Sequence, residues 1–211
     1  FHAENIKIGK GEIRFDFVTP TEVIKNIQLG VPVHMNIENS VGAMAIAFLN
    51  GATDDELRHS MGTFQGAKRR FDFLLKTDKI VMIDDYAHHP QELAASITSV
   101  KELYPNKKLT GIFQPHLFSR TRDFAPEFAK SLSLLDELIL LDIYPAREKP
   151  IEGITSQIIF DRVSSKKTLC KKEDLLSLLE KKDDIEILLT VGAGDIDQFL
   201  LPIKEILQQK L

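Results

Sequence analysis

From Arg70 to the end, short apolar runs alternate with helix-patterned stretches, and few folds accommodate such a chain. Predicted strands lie at Arg70–Leu75, Ile80–Asp84, Leu109–Phe113, Glu137–Ile143 and Ile185–Val191. Predicted helices lie near Pro90–Leu103, Arg122–Leu134, Ser156–Val163, Glu173–Lys181 and Ile196–Gln209. Runs such as Ile80-Val81-Met82-Ile83 and Leu138-Ile139-Leu140-Leu141 show no polar alternation, so burial on both faces is expected, as in parallel strands. Together these patterns predict an α/β fold built on an open, doubly wound sheet. Ligands bind such sheets beyond the carboxyl ends of the strands. The lysine pairs near Lys166 and Lys181 read as solvated surface.

The first third is different. Ile13, Phe15 and Phe17 alternate with Arg14 and Asp16 in the period of a half-buried strand, and Val23 to Val33 reads as a second strand interrupted at Gly30 and Pro32. A helix is expected from Asn36, with Val41, Met44, Ala45 and Phe48 on one stripe, ending at Gly51. Thr53 and Glu56 have the spacing of a capping box opening the next helix. The small, polar Gly66-Ala67-Lys68 junction marks a domain boundary, giving units at 1–67 and 68–211. The abrupt start at Phe1 leads to the expectation that the sequence is a piece of a longer chain.

Composition narrows the function. The 211 residues, 43% hydrophobic, suffice for a buried core. A single cysteine, Cys170, excludes a disulfide framework or a cysteine-built zinc site and fits a reducing compartment. The net charge of -4 offers no general attraction to nucleic acid or an anionic membrane. No apolar run approaches the roughly 20 residues that span a bilayer, and no basic-then-apolar leader stands at Phe1. The expectation is a soluble, cytoplasmic protein without nucleic-acid binding, membrane insertion or a metal site of its own; the sequence does not fix its oligomeric state.

Three polar clusters follow predicted strands. Asp84-Asp85-Tyr86-Ala87-His88-His89-Pro90 sets two carboxylates and two imidazoles at a helix start, able to hold a metal–nucleotide, orient an amine or move protons. The plainer reading is that one aspartate caps the helix and the histidines are merely exposed. Phe113-Gln114-Pro115-His116-Leu117-Phe118-Ser119-Arg120-Thr121-Arg122-Asp123 offers His116, Arg120 and Arg122, and an arginine fork suits carboxylate or phosphate. The competing reading is a surface loop whose arginines pair with Asp123 or Glu127. Gly192-Ala193-Gly194-Asp195 would let backbone N–H groups approach an anion, or would only shape a turn. Arg69 and Arg70 at a strand start point to opposite faces, so one of the two is expected to reach a ligand. No P-loop, zinc-protease, nucleophile-elbow or complete dinucleotide motif is present, so any phosphoryl chemistry needs a phosphate cradle from elsewhere.

Taken together, Asp84–Pro90, Phe113–His116, Ser119–Asp123 and Gly192–Gly194 resemble the Mur ligase family, in particular its members that add the first amino acid of the peptidoglycan stem peptide. Gln65–Asp72 is similar to that family's domain junction, and Asp142–Glu148 with Pro150-Ile151 to a later strand and loop. The resemblance implies the tail of a central ATPase domain at 1–67 and a complete C-terminal Rossmann-like domain at 68–211. It implies an ATP- and Mg2+-dependent ligase of the cell-wall pathway, with UDP-N-acetylmuramate and L-alanine as substrates and an acyl-phosphate intermediate.

Site roles follow from the same resemblance. Asn36, Asn39, Arg70 and Asp85 match ATP-contacting positions. Tyr86, His88, His116 and Arg120 match the amino-acid site, with His88 and His116 as catalytic residues near the amine and Arg120 on the carboxylate. Gly192 and Gly194 belong to the substrate-binding set. Met35 stands where the family usually has His, and Leu117-Phe118 where it tends to have Arg-Tyr, which makes Arg122 the available replacement for a second guanidinium. Three other readings compete: a recycling ligase that attaches a whole tripeptide, a non-catalytic Rossmann-like binding module, and a Rossmann oxidoreductase. Phe-Gln-Pro-His followed by Ser-Arg-Thr-Arg argues against the first. The last lacks a downstream acidic ribose partner. The 211-residue chain alone is expected to be inactive.

Overall fold

The computed structural model describes residues 1–211, which divide into two units: 1–68 with 99–106, and 69–98 with 107–211. In the first unit, β1 (His2–Gly9), β2 (Glu12–Val18) and β3 (Val23–Gln28) form an antiparallel sheet in that order. The alternation in β2 buries Ile13, Phe15 and Phe17, joined by Ile24 and Ile27 of β3. Strand β3 stops at Gln28, short of the expected Val33, because Gly30 turns to the end of the second helix. Its N–H donates to the Met61 carbonyl at 2.9 Å, and a methyl group there would lie 2.1 Å from the Phe64 carbonyl oxygen. Helix α1 (Met35–Leu49) buries Ile37, Ser40 and Met44. Helix α2 (Asp54–Thr63) opens with the expected reciprocal box, in which Thr53 accepts from the Glu56 N–H and Glu56 accepts from the Thr53 N–H.

The second unit is a six-stranded sheet of β4 (Asp72–Lys76), β5 (Val81–Asp85), β6 (Leu109–Phe113), β7 (Glu137–Leu141), β8 (Lys166–Cys170) and β9 (Ile187–Val191). Their order is β4-β5-β9-β6-β7-β8, parallel throughout except for the antiparallel edge strand β4. Between them run α3 (Pro90–Leu103), α4 (Phe118–Asp123), α5 (Ala125–Leu132), α6 (Gln157–Phe160), α7 (Leu175–Glu180) and α8 (Leu200–Gln208). One sheet face packs Met82, Ile112, Ile139 and Leu188 on Leu175 and Leu179 of α7 and Ile203 and Leu207 of α8. On the other face the Phe113 ring meets Phe128 of α5 at 5.4 Å. Helices on both faces make the sheet doubly wound, and they explain why β6, β7 and β9 are buried along their full length.

Several boundaries differ from the sequence reading. Strand β4 begins only at Asp72, because Arg69 (φ +60°) and Phe71 (φ +50°) are left-handed and cannot join a ladder. The helix expected at 122–134 is two helices, α4 and α5, parted at Phe124, with a proline in the first turn of α5. The helix expected at 196–209 opens as a 3-10 turn over Asp195–Phe199, and the one at 173–181 opens with a 3-10 turn over Lys172–Asp174. Strand β8 lies where the lysines near Lys166 read as surface. It is an edge strand, so its residues lack a clean alternation, and Lys167 folds back to donate to the Phe160 and Val163 carbonyls. No helix is long and apolar enough to cross a membrane.

Candidate functional site

At the carboxyl ends of β5, β9 and β6 the second unit gathers its polar side chains. Asp84, the fourth residue of β5, has no exposed surface. Its carboxylate accepts the Thr190 hydroxyl at 2.6 Å and the Arg69 Nε–H at 3.2 Å. Burial raises its pKa above the usual carboxylate value, against the pull of Thr190 and Arg69. Arg69 also donates to the Gly192 carbonyl at 2.6 Å, and its guanidinium carbon lies 5.0 Å from the centre of the Tyr86 ring. It thereby ties β5, β9 and Tyr86 together.

Asp85 turns inward. One oxygen accepts the Ser96 hydroxyl at 2.9 Å and the other the Ala87 N–H at 3.2 Å, within the β5–α3 segment. Burial raises this carboxyl's pKa too. Neither aspartate caps α3. Glu92, in its first turn, reaches back to accept the N–H groups of His88 at 2.9 Å and His89 at 3.1 Å, while His89 Nδ1 faces the Gln91 N–H at 3.5 Å. Against its own burial, those two donors hold the Glu92 carboxyl below the usual range. With those N–H groups bound, α3 fixes the preceding histidine: His88 Nδ1 lies 3.0 Å from the Tyr86 carbonyl oxygen, and its ring stands 5.2 Å from Tyr86 and 6.3 Å from His116.

His116 follows β6. Its ring lies nearly parallel to Tyr144, 5.8 Å between centres with 21° between planes, and its Nδ1 is 3.5 Å from an Nη of Arg120. Burial first, then the charges of Arg120 and His88, lower its pKa below the usual imidazole value. A neutral imidazole beside a guanidinium that no carboxylate pairs with can accept a proton from an ammonium while the arginine grips a carboxylate.

The structure thus brings Tyr86, His88, His116 and Arg120 into one connected group. It does not bring Arg122 there: Arg122 pairs with its neighbour Asp123 at 2.7 Å, with both side chains about half exposed. The glycines also differ from a simple anion cradle. Both are buried, and a methyl group on Gly192 would lie 2.6 Å from the Gln114 carbonyl oxygen and one on Gly194 2.2 Å from Gln114 Oε1. They are small so that Gln114 can pass. The Gln114 amide donates to Asp195 at 2.8 Å and accepts the Ile196 N–H at 2.9 Å. Arg69, Gln114 and Tyr144 are the members of the cluster to which sequence reasoning gave no role. A glutamine directly after the Ile112-Phe113 end of a strand was the available signal for Gln114. Of the arginine pair, Arg69 is held inside and Arg70 is exposed.

Asn36 and Asn39, expected from the resemblance to contact ATP, lie with Ser40 on one cleft of about 210 Å³ in the first unit, lined otherwise by Leu29, Val31, Met61 and Phe64. Asn36 donates to the Val31 carbonyl at 3.1 Å and Asn39 donates to the Asn36 side-chain oxygen at 3.2 Å. An apolar slot with two fixed amides suits a flat heteroaromatic base. No group of three or more His, Cys, Asp or Glu side chains is arranged to hold a metal ion.

A family model described as Mur ligase, glutamate ligase domain, matches residues 69–194, more than half of the chain. The chain belongs to the Mur ligase family. A UDP-N-acetylmuramate–L-alanine ligase of Parabacteroides distasonis is 62% identical over 212 aligned positions, covering 100% of this chain and 46% of that protein. The crystal structure of the UDP-N-acetylmuramate–alanine ligase of Thermotoga maritima aligns with a TM-score of 0.78 at 25% identity, over 99% of this chain and 46% of that one. A murein peptide ligase of Psychrobacter arcticus shares the fold alone, with a TM-score of 0.53 at 18% identity over 96% of this chain and 43% of that one. This Mur ligase chain spans about half the length of the curated relatives it matches.

Proposed function

We propose that the protein containing this chain is an ATP-dependent ligase that joins L-alanine to UDP-N-acetylmuramate in peptidoglycan synthesis. The observation that carries the reading is the connected group Tyr86, His88, His116 and Arg120 at the strand tips of a chain 62% identical to a ligase of that name. In this reading residues 1–67 are the tail of the central ATP-binding domain and 68–211 the C-terminal domain, working in the cytoplasm.

ATP is a substrate of the reaction, with Mg2+ accompanying its phosphates. It converts the muramoyl carboxylate to an acyl phosphate with release of ADP. The amine of L-alanine attacks that carbonyl, and the tetrahedral adduct expels phosphate to leave the amide. The residues here serve the amine half. Arg120 holds the alanine carboxylate, which fixes the amine's approach. Neutral His116, with His88 beside it, takes the proton that the ammonium must lose before it is a nucleophile. Tyr86 lines the same site, and Gly192 and Gly194 shape it by admitting Gln114. Asn36 and Asn39 hold the adenosine end of ATP, exposed Arg70 reaches its phosphates, and Asp85 orients the segment near the ribose.

The test is phosphate release by the full-length protein given ATP, Mg2+ and UDP-N-acetylmuramate, with L-alanine or with the muropeptide tripeptide. Release dependent on L-alanine is expected, and none from the 211-residue chain alone. Release with the tripeptide only, or turnover by the isolated chain, would overturn the reading.

A further inference from the structure

Helix α4 carries Arg120, yet it has no cap of its own. Leu117, its N-cap residue, stands at φ +73° and ψ 134° and offers no side-chain acceptor. A leucine in that region is strained, so neighbouring structure must hold it there. The first N–H groups of the helix also need acceptors. Both requirements are met from the loop after β7. One oxygen of Glu148 accepts the Ser119 N–H at 3.0 Å, and the other accepts the Ser119 hydroxyl, across 29 positions of sequence. The Leu117 N–H donates to the Tyr144 carbonyl at 3.0 Å, and the Tyr144 N–H donates to the Pro115 carbonyl at 2.8 Å. A turn closed by the Glu148 N–H on the Pro145 carbonyl, 2.9 Å, sets the carboxylate in place.

His116 and Arg120 are therefore the two ends of a strained corner, Leu117 to Ser119, that is clamped from one loop. We propose that Glu148 is a positioning residue of the amino-acid site: by capping α4 it holds Arg120 beside His116 and thereby sets the affinity for the amino-acid carboxylate. This deepens the ligase reading and rests on it. Glu148 itself is engaged by Ser119 and need touch no substrate. It contributes in a second way as well. The charged or titratable groups facing His116 are Arg120, His88, Glu148, Arg147 and the stacked Tyr144, and Glu148 is the only carboxylate among them. Removing its charge takes away the one of these charges that favours the protonated imidazole.

The experiment is Glu148→Gln, which keeps the side chain's length and one acceptor oxygen but loses the anion. In the full-length ligase the KM for L-alanine is expected to rise at least tenfold, while the KM values for ATP and UDP-N-acetylmuramate stay within twofold. In the 211-residue chain, NMR should show loss of the proximity between Arg120 and His116 and a fall in the His116 titration midpoint. Resonances outside 115–123 and 144–150 should be unchanged, which certifies the fold. Ser119→Ala, which removes one of the two contacts, should give the same pattern at smaller size. Equal changes in all three KM values, or none, would overturn the proposal. If the wild-type protein does not use L-alanine, the ligase reading fails on its own account. The positioning claim is then decided by NMR, where Arg120 staying beside His116 in Glu148→Gln refutes it.

Discussion

Replacing Gly194 with alanine tests the packing under the site with one methyl group. The added carbon would lie 2.2 Å from Gln114 Oε1, 2.7 Å from Gln114 Cδ and 2.8 Å from Tyr144 Cβ. Something must move, and Gln114 is poorly placed to do so: it is buried, and its amide is engaged at both atoms, to Asp195 at 2.8 Å and from Ile196 at 2.9 Å. Losing those two hydrogen bonds costs about 1 kcal/mol each, and stranding the buried Ile196 N–H places the total nearer 2–3 kcal/mol. Overpacking against Tyr144 adds about 1 kcal/mol or more. Alanine's smaller unfolded-state entropy returns about 0.4–1 kcal/mol, since Gly194 at φ −85° has a backbone that any residue can adopt. The net expectation is a loss of about 2–4 kcal/mol, a fall in melting temperature of about 5–15 °C. Urea unfolding followed by circular dichroism measures it. Gly42→Ala in α1, where nothing lies within 4 Å of the new methyl, is the control and should be stabilising by about 0.5–1 kcal/mol. A loss below about 0.5 kcal/mol in Gly194→Ala would refute the reasoning that these glycines exist to admit Gln114.

Two further predictions concern charge. Glu137, nearly fully buried at the start of β7, receives the ammonium groups of Lys108 at 2.6 Å, Lys182 at 2.7 Å and Lys166 at 3.3 Å. Glu137→Gln leaves Lys108 and Lys182 with Asp184 as their one carboxylate and Lys166 facing a neutral amide, and should cost about 2–4 kcal/mol in urea unfolding at pH 7, somewhat less than a wholly buried pair because Asp184 remains and Lys166 is exposed. Against burial, the lysines hold the Glu137 carboxyl below 4.5, so this stabilisation is present above pH 4.5 and fades as pH falls through the lowered native value. The difference between wild type and variant should therefore shrink by pH 3; a constant difference would count against the network. His116 carries the opposite sign. Its folded-state pKa lies below 6.5, so it contributes nothing above the unfolded value and destabilises the fold as pH drops from about 6.5 through the native midpoint. An NMR titration of the ring should give a midpoint under 6.5 that rises in Arg120→Ala, and a midpoint above 6.5 would show that the imidazole is not held as described.

Much of this was legible in sequence where burial is complete. Strand β6 and helix α3 fall at their predicted bounds, Leu109–Phe113 and Pro90–Leu103, because a largely apolar run flanked by polar residues and a helix-opening proline leave little choice of register. The exposed edge strand β8 escaped, since lysines and threonine on a half-solvated strand look like a loop. At the site, residue types drew attention to His88, His116 and Arg120, and the family resemblance added Tyr86; all four sit just past strand ends. What sequence could not supply was the set of contacts across long separations. Arg69 reaches Gly192 across 123 positions, Gln114 reaches Asp195 across 81, and Glu148 reaches Ser119 across 29. The pairing of Arg122 with Asp123 was the competing reading of that loop, whereas no motif reveals that Leu117 is left-handed, because that depends on which neighbours the fold delivers.

The proposed amine-receiving role of the strand tips is tested most directly by steady-state kinetics of Arg120→Ala in the full-length protein, varying each proposed substrate in turn. Loss of one charge-assisted contact to a carboxylate is worth about 1.5–3 kcal/mol, so the KM for L-alanine should rise by roughly ten- to a hundredfold while the KM for ATP is unchanged. A rise in the ATP KM with alanine unaffected would place Arg120 on the phosphate side and contradict the assignment.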